Sequence, residues 1–410
     1  MKKFFALLLS LAMVLALVAC GQKDPTPDTP DTPDDPQTKV EYKVAMITDY
    51  GDITDQSFNQ TTYEACKAFA EDNSIEFSYF RPAGDNTADR VAMIEKAVDE
   101  GFNVIVMPGY AFGGAIVEAA PEFPDVKFIA LDVAAGDLLE TAVAKAGEAY
   151  DYTPENWDLN KYVDMSNVYC AVYQEELCGY MAGYAAVKLG YKSLGFLGGM
   201  AVPAVVRYGY GFVQGVDAAA ADLGLTDVKL NYIYGGQFFG DADITAVMDT
   251  WYQGGTEVVF ACGGGIYTSA VDAAKKVGAK VIGVDVDQAG VIAKYAGVDG
   301  MTVTSAMKGL YPATYDTLTD VIVNGNWEKY VGKIETLGLV SGTDPEANYV
   351  QIPMGDGTQW SDSFTQDDYK AMVKDMFDGK ITVSNNTSSD VSAADFATVI
   401  TVDDQGSIKG

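Results

Sequence analysis

From about residue 42 onward, short apolar runs alternate with longer stretches of helical spacing. The runs are "YKVAMI" (42–47), "IEFSYF" (75–80), "NVIVMP" (103–108), "VKFIALD" (126–132), "NVYCAVY" (167–173), "SLGFLGG" (193–199), "VKLNYIY" (228–234), "TEVVFACGGG" (256–265), "AKVIGVD" (279–285) and "MTVTSAM" (301–307). Most are near-continuous and rich in β-branched or aromatic residues, so they predict strands buried on both faces. Between them, 59–72, 88–100, 114–120, 175–189, 209–223, 244–252 and 267–277 predict helices, with short ones after 285 and 307. Strands that alternate with helices in this way imply parallel sheets, the α/β class. The pattern occurs about twice, each half opening with a strand, a polar or Gly-rich turn and a long helix, which predicts two lobes of common plan. The stretch 136–164, containing "YDYTPENWDLNKY", breaks the rhythm and reads as a surface insertion near the lobe boundary.

Polar residues gather where the strands end. Asp49 follows the first strand, Pro108 and Gly109 the third, Asp132 the fourth, Gly198 and Gly199 the sixth, Gly263, Gly264 and Gly265 the eighth, and Asp285 the ninth. In open α/β sheets ligands bind at that edge, where helix N-termini also point. The first turn, "MITDYGDITDQSFNQ" (46–60), crowds Asp49, Asp52, Asp55, Ser57, Phe58 and Asn59 between a strand and a helix. A plain connection needs none of these, whereas a site for a flat polar ligand uses acceptors and a ring.

The N-terminus changes the picture of where such a domain works. Lys2 and Lys3 precede an apolar run, 4–19, too short for a comfortable span, which reads as a signal peptide. It ends in "LVAC", which resembles the bacterial lipobox and makes Cys20 the expected lipidated N-terminus on the outer face of the membrane. The segment 21–39, a Pro/Thr/Asp repeat without apolar periodicity, is expected to be an extended spacer. About 370 residues remain, enough for two domains.

Charge and composition then exclude classes of function. The formal net charge of −31 repels polyanions, which argues against nucleic acid and anionic lipid surfaces as partners. Histidine is absent, which removes the commonest general base and most zinc sites. Cys66, Cys170, Cys178 and Cys262 form no CxxC pair and read as small buried apolar residues, with a Cys170–Cys178 bridge left open. Gly263 to Gly265, with Asp285 about twenty residues on, approaches the dinucleotide arrangement, but Thr268 stands where the third glycine belongs and no P-loop lysine follows any Gly-rich turn. An Asp at a strand end beside a glycine turn still suits sugar hydroxyls. "DYGDITD" lacks EF-hand spacing. No cofactor and no metal is expected.

"GDITDQSFNQ" (51–60) resembles the signature of the basic membrane protein family, lipoproteins that serve as substrate-binding components of ABC importers, whose characterised members largely bind purine nucleosides. "FIALD" (128–132), "QEELCGYMAGYAA" (174–186), "LGFLGGMAVPAVVRYGYGFVQGV" (194–216), "FFGDADITAVM" (238–248), "ACGGGIYTSAVDAAKKVG" (261–278), "VIGVDVDQ" (281–288) and "TSAMKG" (304–309) follow in family order. The resemblance implies a type I periplasmic-binding fold, two α/β lobes joined by crossover strands. It places 40–173 plus about 287–325 in the first lobe and 174–286 plus about 326–410 in the second.

Carried over residue by residue, the resemblance implies that Asp55, with Asp49 near, meets the edge of a base and that Phe58 stacks on one base face. A second aromatic covers the other face, Phe239 by local alignment with Phe238 one step away. Asp132, Asp285 and one of Gly263 to Gly265 match ribose-binding positions, and Lys308 matches a lysine near the sugar. It further implies no enzymatic activity, ABC permease and ATPase subunits as partners, a monomer, and a lipid anchor at Cys20 on the extracytoplasmic face of the cell membrane. Alternatives from the residues are a sugar or other small-metabolite binder, a sensor coupled to a membrane signalling partner, and a nucleoside hydrolase. Trp360, in a tail that matches loosely, either reaches the cleft or fills a core.

Overall fold

A computed structural model describes residues 41–409; Cys20 and the 21–39 spacer lie outside the described residues. The strands, in chain order, are β1 Lys43–Ile47, β2 Glu76–Phe80, β3 Val104–Pro108, β4 Lys127–Leu131, β5 Val168–Tyr173, β6 Ser193–Gly198, β7 Lys229–Tyr234, β8 Val258–Cys262, β9 Lys280–Asp285, β10 Thr302–Lys308, β11 Lys333–Leu337, β12 Val350–Gln351 and β13 Thr401–Ser407. The helices are α1 Phe58–Asn73, α2 Thr87–Asp99, α3 Gly113–Ala119, α4 Ala135–Lys145, α5 Leu159–Tyr162, α6 Glu175–Lys188, α7 Pro203–Asp222, α8 Ala242–Gln253, α9 Tyr267–Val277, α10 Ala289–Ala296, α11 Leu310–Leu318 and α12 Gln366–Phe377. None of the described helices is long and apolar enough to cross a membrane.

Two sheets result, ordered β11-β5-β4-β3-β1-β2 and β12-β10-β9-β8-β6-β7-β13. Pairing is parallel throughout except between β10 and β12. The inner five strands of each sheet follow one plan, so β4 and β9 are equivalent, and each sheet has its switch point beside its first strand. The continuous apolar runs are explained by coverage on both faces: Ile105, Met107 and Phe128 face one helical layer of the first sheet, while Val104, Val106 and Ile129 join the core on its other side. In the second sheet Phe196 and Phe260 face one layer and Leu197 and Ala261 the other.

The tightest helix contact is between α6 and α7. A Cβ on Gly179 would lie 2.3 Å from the Tyr208 carbonyl, and one on Gly183 2.4 Å from that of Phe212. Reciprocally, Cβ atoms on Gly211 and Gly215 would lie 2.1 Å from the carbonyls of Glu176 and Tyr180. Glycines four residues apart on both helices make one smooth face on each, and the backbones meet there.

Several expectations need correction. β10, placed in the first lobe by its sequence position, is bonded to β9 in the second sheet, and β11, placed in the second lobe, pairs with β5 in the first. The chain returns to the first lobe at Gly309, and α11 then packs on α1. Neither β10, inside its sheet, nor β11, at the edge of the other, carries a local mark of which sheet it joins, so the boundary at 287 was not visible. The stretch 136–164 is not wholly an insertion: α4 is the crossover helix between β4 and β5, with Leu138 and Ala142 in the core. Only the segment after Lys145 forms an added surface, where Tyr150, Tyr152, Trp157 and Tyr162 pack ring against ring. Cys66, Cys170, Cys178 and Cys262 are buried free thiols. Trp360 fills a core, tilted against Phe364 and Tyr369, with its indole N–H donating to the Met354 carbonyl at 3.2 Å.

Candidate functional site

The C-terminal edges of the two sheets share one cavity of about 440 Å³, within the range of small-molecule sites. Asp49, Asp55, Phe58, Asp132, Phe238, Phe239, Gly263, Gly264, Asp285 and Lys308 line it, whereas Ser57 and Trp360 do not.

The first turn builds one end. Asp49 Oδ1 accepts the backbone N–H groups of Tyr50 at 2.6 Å and Gly51 at 2.7 Å, and the side-chain amide of Asn59 at 3.2 Å. Burial raises the Asp49 carboxyl above its ordinary range, against these donors. Asp55 differs from expectation. Its oxygens accept the N–H groups of Ser57, Asn59 and Gln60 at 3.0, 2.9 and 3.1 Å, so it caps the N-terminus of α1 instead of presenting free acceptors. Asn59, which sequence reasoning noticed in the turn but did not select, is buried with its amide on Asp49 and Asp55 and its Oδ1 without a hydrogen-bond partner among the described residues. Asn59 therefore holds an acceptor ready at this end.

The rings come from both sheets. Phe58 opens α1, with the Lys308 ammonium 4.9 Å from its centroid. Across the cavity, the Phe238 ring lies flush on the glycine turns: a Cβ on Gly199 would sit 2.3 Å from its Cδ1 and one on Gly263 2.7 Å from it. Gly263 at φ 142° and Gly264 at φ 48° adopt turns that side chains resist, and the Gly265 N–H donates to the Phe238 carbonyl at 2.8 Å. Phe239, the ring favoured from sequence, is 57% exposed at the cavity's rim.

An ionic cluster lies against the Phe58 ring. Asp132 and Asp285 end the equivalent strands β4 and β9, both in the left-handed region at φ 59° and 65°. Lys308, at the end of β10, pairs with Asp132 across the two sheets, with Glu175 at 3.3 Å and with Asp285 at 3.9 Å. Arg207 holds the other Glu175 oxygen at 2.7 Å. Burial raises the Asp132 carboxyl to about 6, against the pull of Lys308. Burial alone would lower the Lys308 ammonium, but the three carboxylates raise it well above its ordinary value. Asp132 Oδ1 has no partner among the described residues and is buried. Asp285 receives the Ser57 hydroxyl at 2.5 Å from the first lobe and the Tyr208 hydroxyl at 3.3 Å. Ser57, like Asn59, was noticed in the turn but not selected, and Glu175, Arg207 and Tyr208 were missed as site residues because nothing in the spacing shows that α6, α7 and the first turn converge.

These features bring aromatic faces and acceptors for hydroxyl donors into one cavity. Among the described residues no group of His, Cys, Asp or Glu is arranged to hold a metal ion.

Comparison with known proteins agrees with this architecture. The chain is 25% identical over 392 residues to the ABC transporter nucleoside-binding protein BmpA of Lactococcus lactis subsp. cremoris, covering 92% of this chain and 96% of the relative. It is 26% identical to basic membrane protein B of Borreliella burgdorferi, covering 76% of this chain and 83% of that one. An ABC transporter solute-binding protein from Aeropyrum pernix K1 shares the fold, with a TM-score of 0.63 and 18% identity, over 85% of this chain and 95% of the other. A solute-binding protein from Conexibacter woesei matches with a TM-score of 0.58. The lobes thus form a type I periplasmic-binding fold. The family model described as ABC transporter substrate-binding protein PnrA-like matches residues 42–343, and the chain belongs to that family of substrate-binding proteins, not to a family of enzymes.

Proposed function

We propose that the cleft binds a purine nucleoside and that the loaded protein delivers it to an ABC permease while tethered through Cys20. The observation that carries this reading is that two aromatic rings, Phe58 from the first lobe and Phe238 from the second, line one cavity together with Asp132 and Asp285. A nucleobase is flat and weakly solvated on its faces, and each stacked base is worth about 1–3 kcal/mol. Asp49 and Asn59 are suited to the base edge, and the unpartnered Asp132 Oδ1 to a ribose hydroxyl. The three carboxylates around the buried Lys308 disfavour a phosphate, so a nucleoside suits the cleft better than a nucleotide. The Lactococcus relative's name supports the ligand class. The anchor is supported by the lipobox resemblance and by archaeal relatives named as lipoproteins.

Calorimetry tests the reading. The expected order of affinity is nucleoside, deoxynucleoside, free base, with the nucleoside monophosphate weakest. A hydroxyl lost from a charged acceptor costs about 1–3 kcal/mol. A free base that binds as tightly as its nucleoside removes the ribose assignment, and a hexose that outcompetes both replaces the nucleoside with a sugar.

A further inference from the structure

Phe238 and Phe239 lie in the connection "GGQFFGD", 235–241, between β7 and α8, which has three glycines and little regular structure of its own. Its inner side is tied to the glycine turns, with Gly235 N–H on the Gly198 carbonyl at 2.7 Å and Gly236 N–H on the Gly199 carbonyl at 2.8 Å. Its outer side meets residues 407–409. β13 runs parallel to β7 with Ser407 opposite Tyr234, and the Ile408 N–H donates to the Tyr234 carbonyl at 2.8 Å. Lys409 is thereby laid on Gly236: a Cβ there would be 2.6 Å from the Lys409 carbonyl oxygen, and Gly236 has φ 80°.

The Lys409 ammonium then donates to Gln237 Oε1 at 3.0 Å and pairs with Asp241. This fixes which way the Gln237 amide points. Its Nε2 donates to the Phe239 carbonyl at 2.9 Å and to Asp241 Oδ2 at 3.0 Å. Asp241 in turn caps α8 through the Ile244 N–H at 3.0 Å. One cation thus joins both ends of the connection that carries the rings. β13 and Lys409 also lie beyond the residues 42–343 that match the family.

We propose that Lys409, brought in by β13, is a positioning residue for the ligand cleft, holding the connection so that Phe238 and Phe239 present their rings. Its effect on affinity rests on the cleft being the ligand site, whereas its effect on the connection does not. The experiment compares Lys409→Met and Lys409→Arg in the full chain. Hydrogen exchange of the 235–241 amides in the empty protein is expected to quicken in the Met variant and to stay near wild type in the Arg variant. Guanosine affinity is expected to fall roughly threefold to tenfold in the Met variant, and that loss is expected to vanish when Phe238 and Phe239 are both alanine. Unchanged exchange at 235–241 overturns the proposal. So does an affinity loss of equal size with and without the rings, which would mark a general loss of stability. If wild type ignores guanosine, the nucleoside reading fails while the exchange comparison still decides the role of Lys409.

Discussion

At the scale of single residues, the site uses conformations and contacts that cost free energy when empty. Asp132 and Asp285 hold left-handed backbone without being glycine, a strain of about 1–3 kcal/mol each. Their side chains are fixed on Lys308, Ser57 and Tyr208, which keeps both carboxylates at the strand ends. The two candidate rings of the second lobe separate by environment, Phe238 seated on glycines and Phe239 largely in solvent. Phe58→Ala and Phe238→Ala are each expected to weaken nucleoside binding by about 1–3 kcal/mol, and Phe239→Ala by less. Calorimetry with thermal melting of the empty protein checks this. A Phe58 variant that melts early but binds normally in its folded fraction makes that ring core and not clamp.

At the scale of elements, the α6–α7 contact carries a titration. Glu176, on α6, is 2% exposed with its Oε2 unpartnered among the described residues. Burial, with the Glu175 charge beside it, raises its carboxyl from 4.5 to about 7. The folded chain therefore keeps this proton in a window where the unfolded chain has released it. Its contribution favours folding below about pH 4.5 and is lost as pH rises through about 7. Glu176→Gln is expected to raise the melting temperature near pH 8 and to leave it nearly unchanged near pH 4, which flattens the pH profile. An identical slope in both proteins would mean that Glu176 ionises in the fold at no cost.

At the scale of the whole molecule, the chain passes between the sheets at Gln174, Gly309 and 338–349, and these passages are adjacent. The Gln174 N–H donates to the Leu337 carbonyl at 3.0 Å, Gly309 N–H to Tyr349 at 2.6 Å, and Tyr349 N–H to Gly338 at 3.0 Å. A Cβ on Gly338 would lie 1.7 Å from Gln174 Oε1, so glycine allows the passages to touch. The lobes are also joined by Ser57 on Asp285 and by Gln288 Nε2 on the Gln56 carbonyl at 3.1 Å. Such a pattern suits hinge closure. Ser57→Ala combined with Gln288→Ala is expected to enlarge the radius of gyration of the empty protein in small-angle X-ray scattering, with ligand restoring most of it. An unchanged radius would show that these two bonds do not hold the lobes together.

The sequence by itself determined the α/β class, the duplication and the edge of the sheets where a ligand goes. Strands buried on both faces are mostly apolar, and charged residues and glycine turns fall where they end, so Asp49, Asp132, Gly263 and Asp285 pointed to that edge from the sequence alone. Tertiary structure alone decided which sheet β10 and β11 join, because the buried pattern of β10 would suit either sheet and the exposed β11 would suit either edge. It also decided that Asp55 caps a helix, since whether an aspartate faces a ligand or its own N–H groups depends on local backbone geometry. Phe238 and Phe239 are adjacent and chemically alike; only the glycine turns beneath one of them tell them apart. Lys409 was invisible for the same reason of distance: it reaches Gln237 across 172 residues of chain, and no local pattern records a contact made by strands at a sheet's far edge.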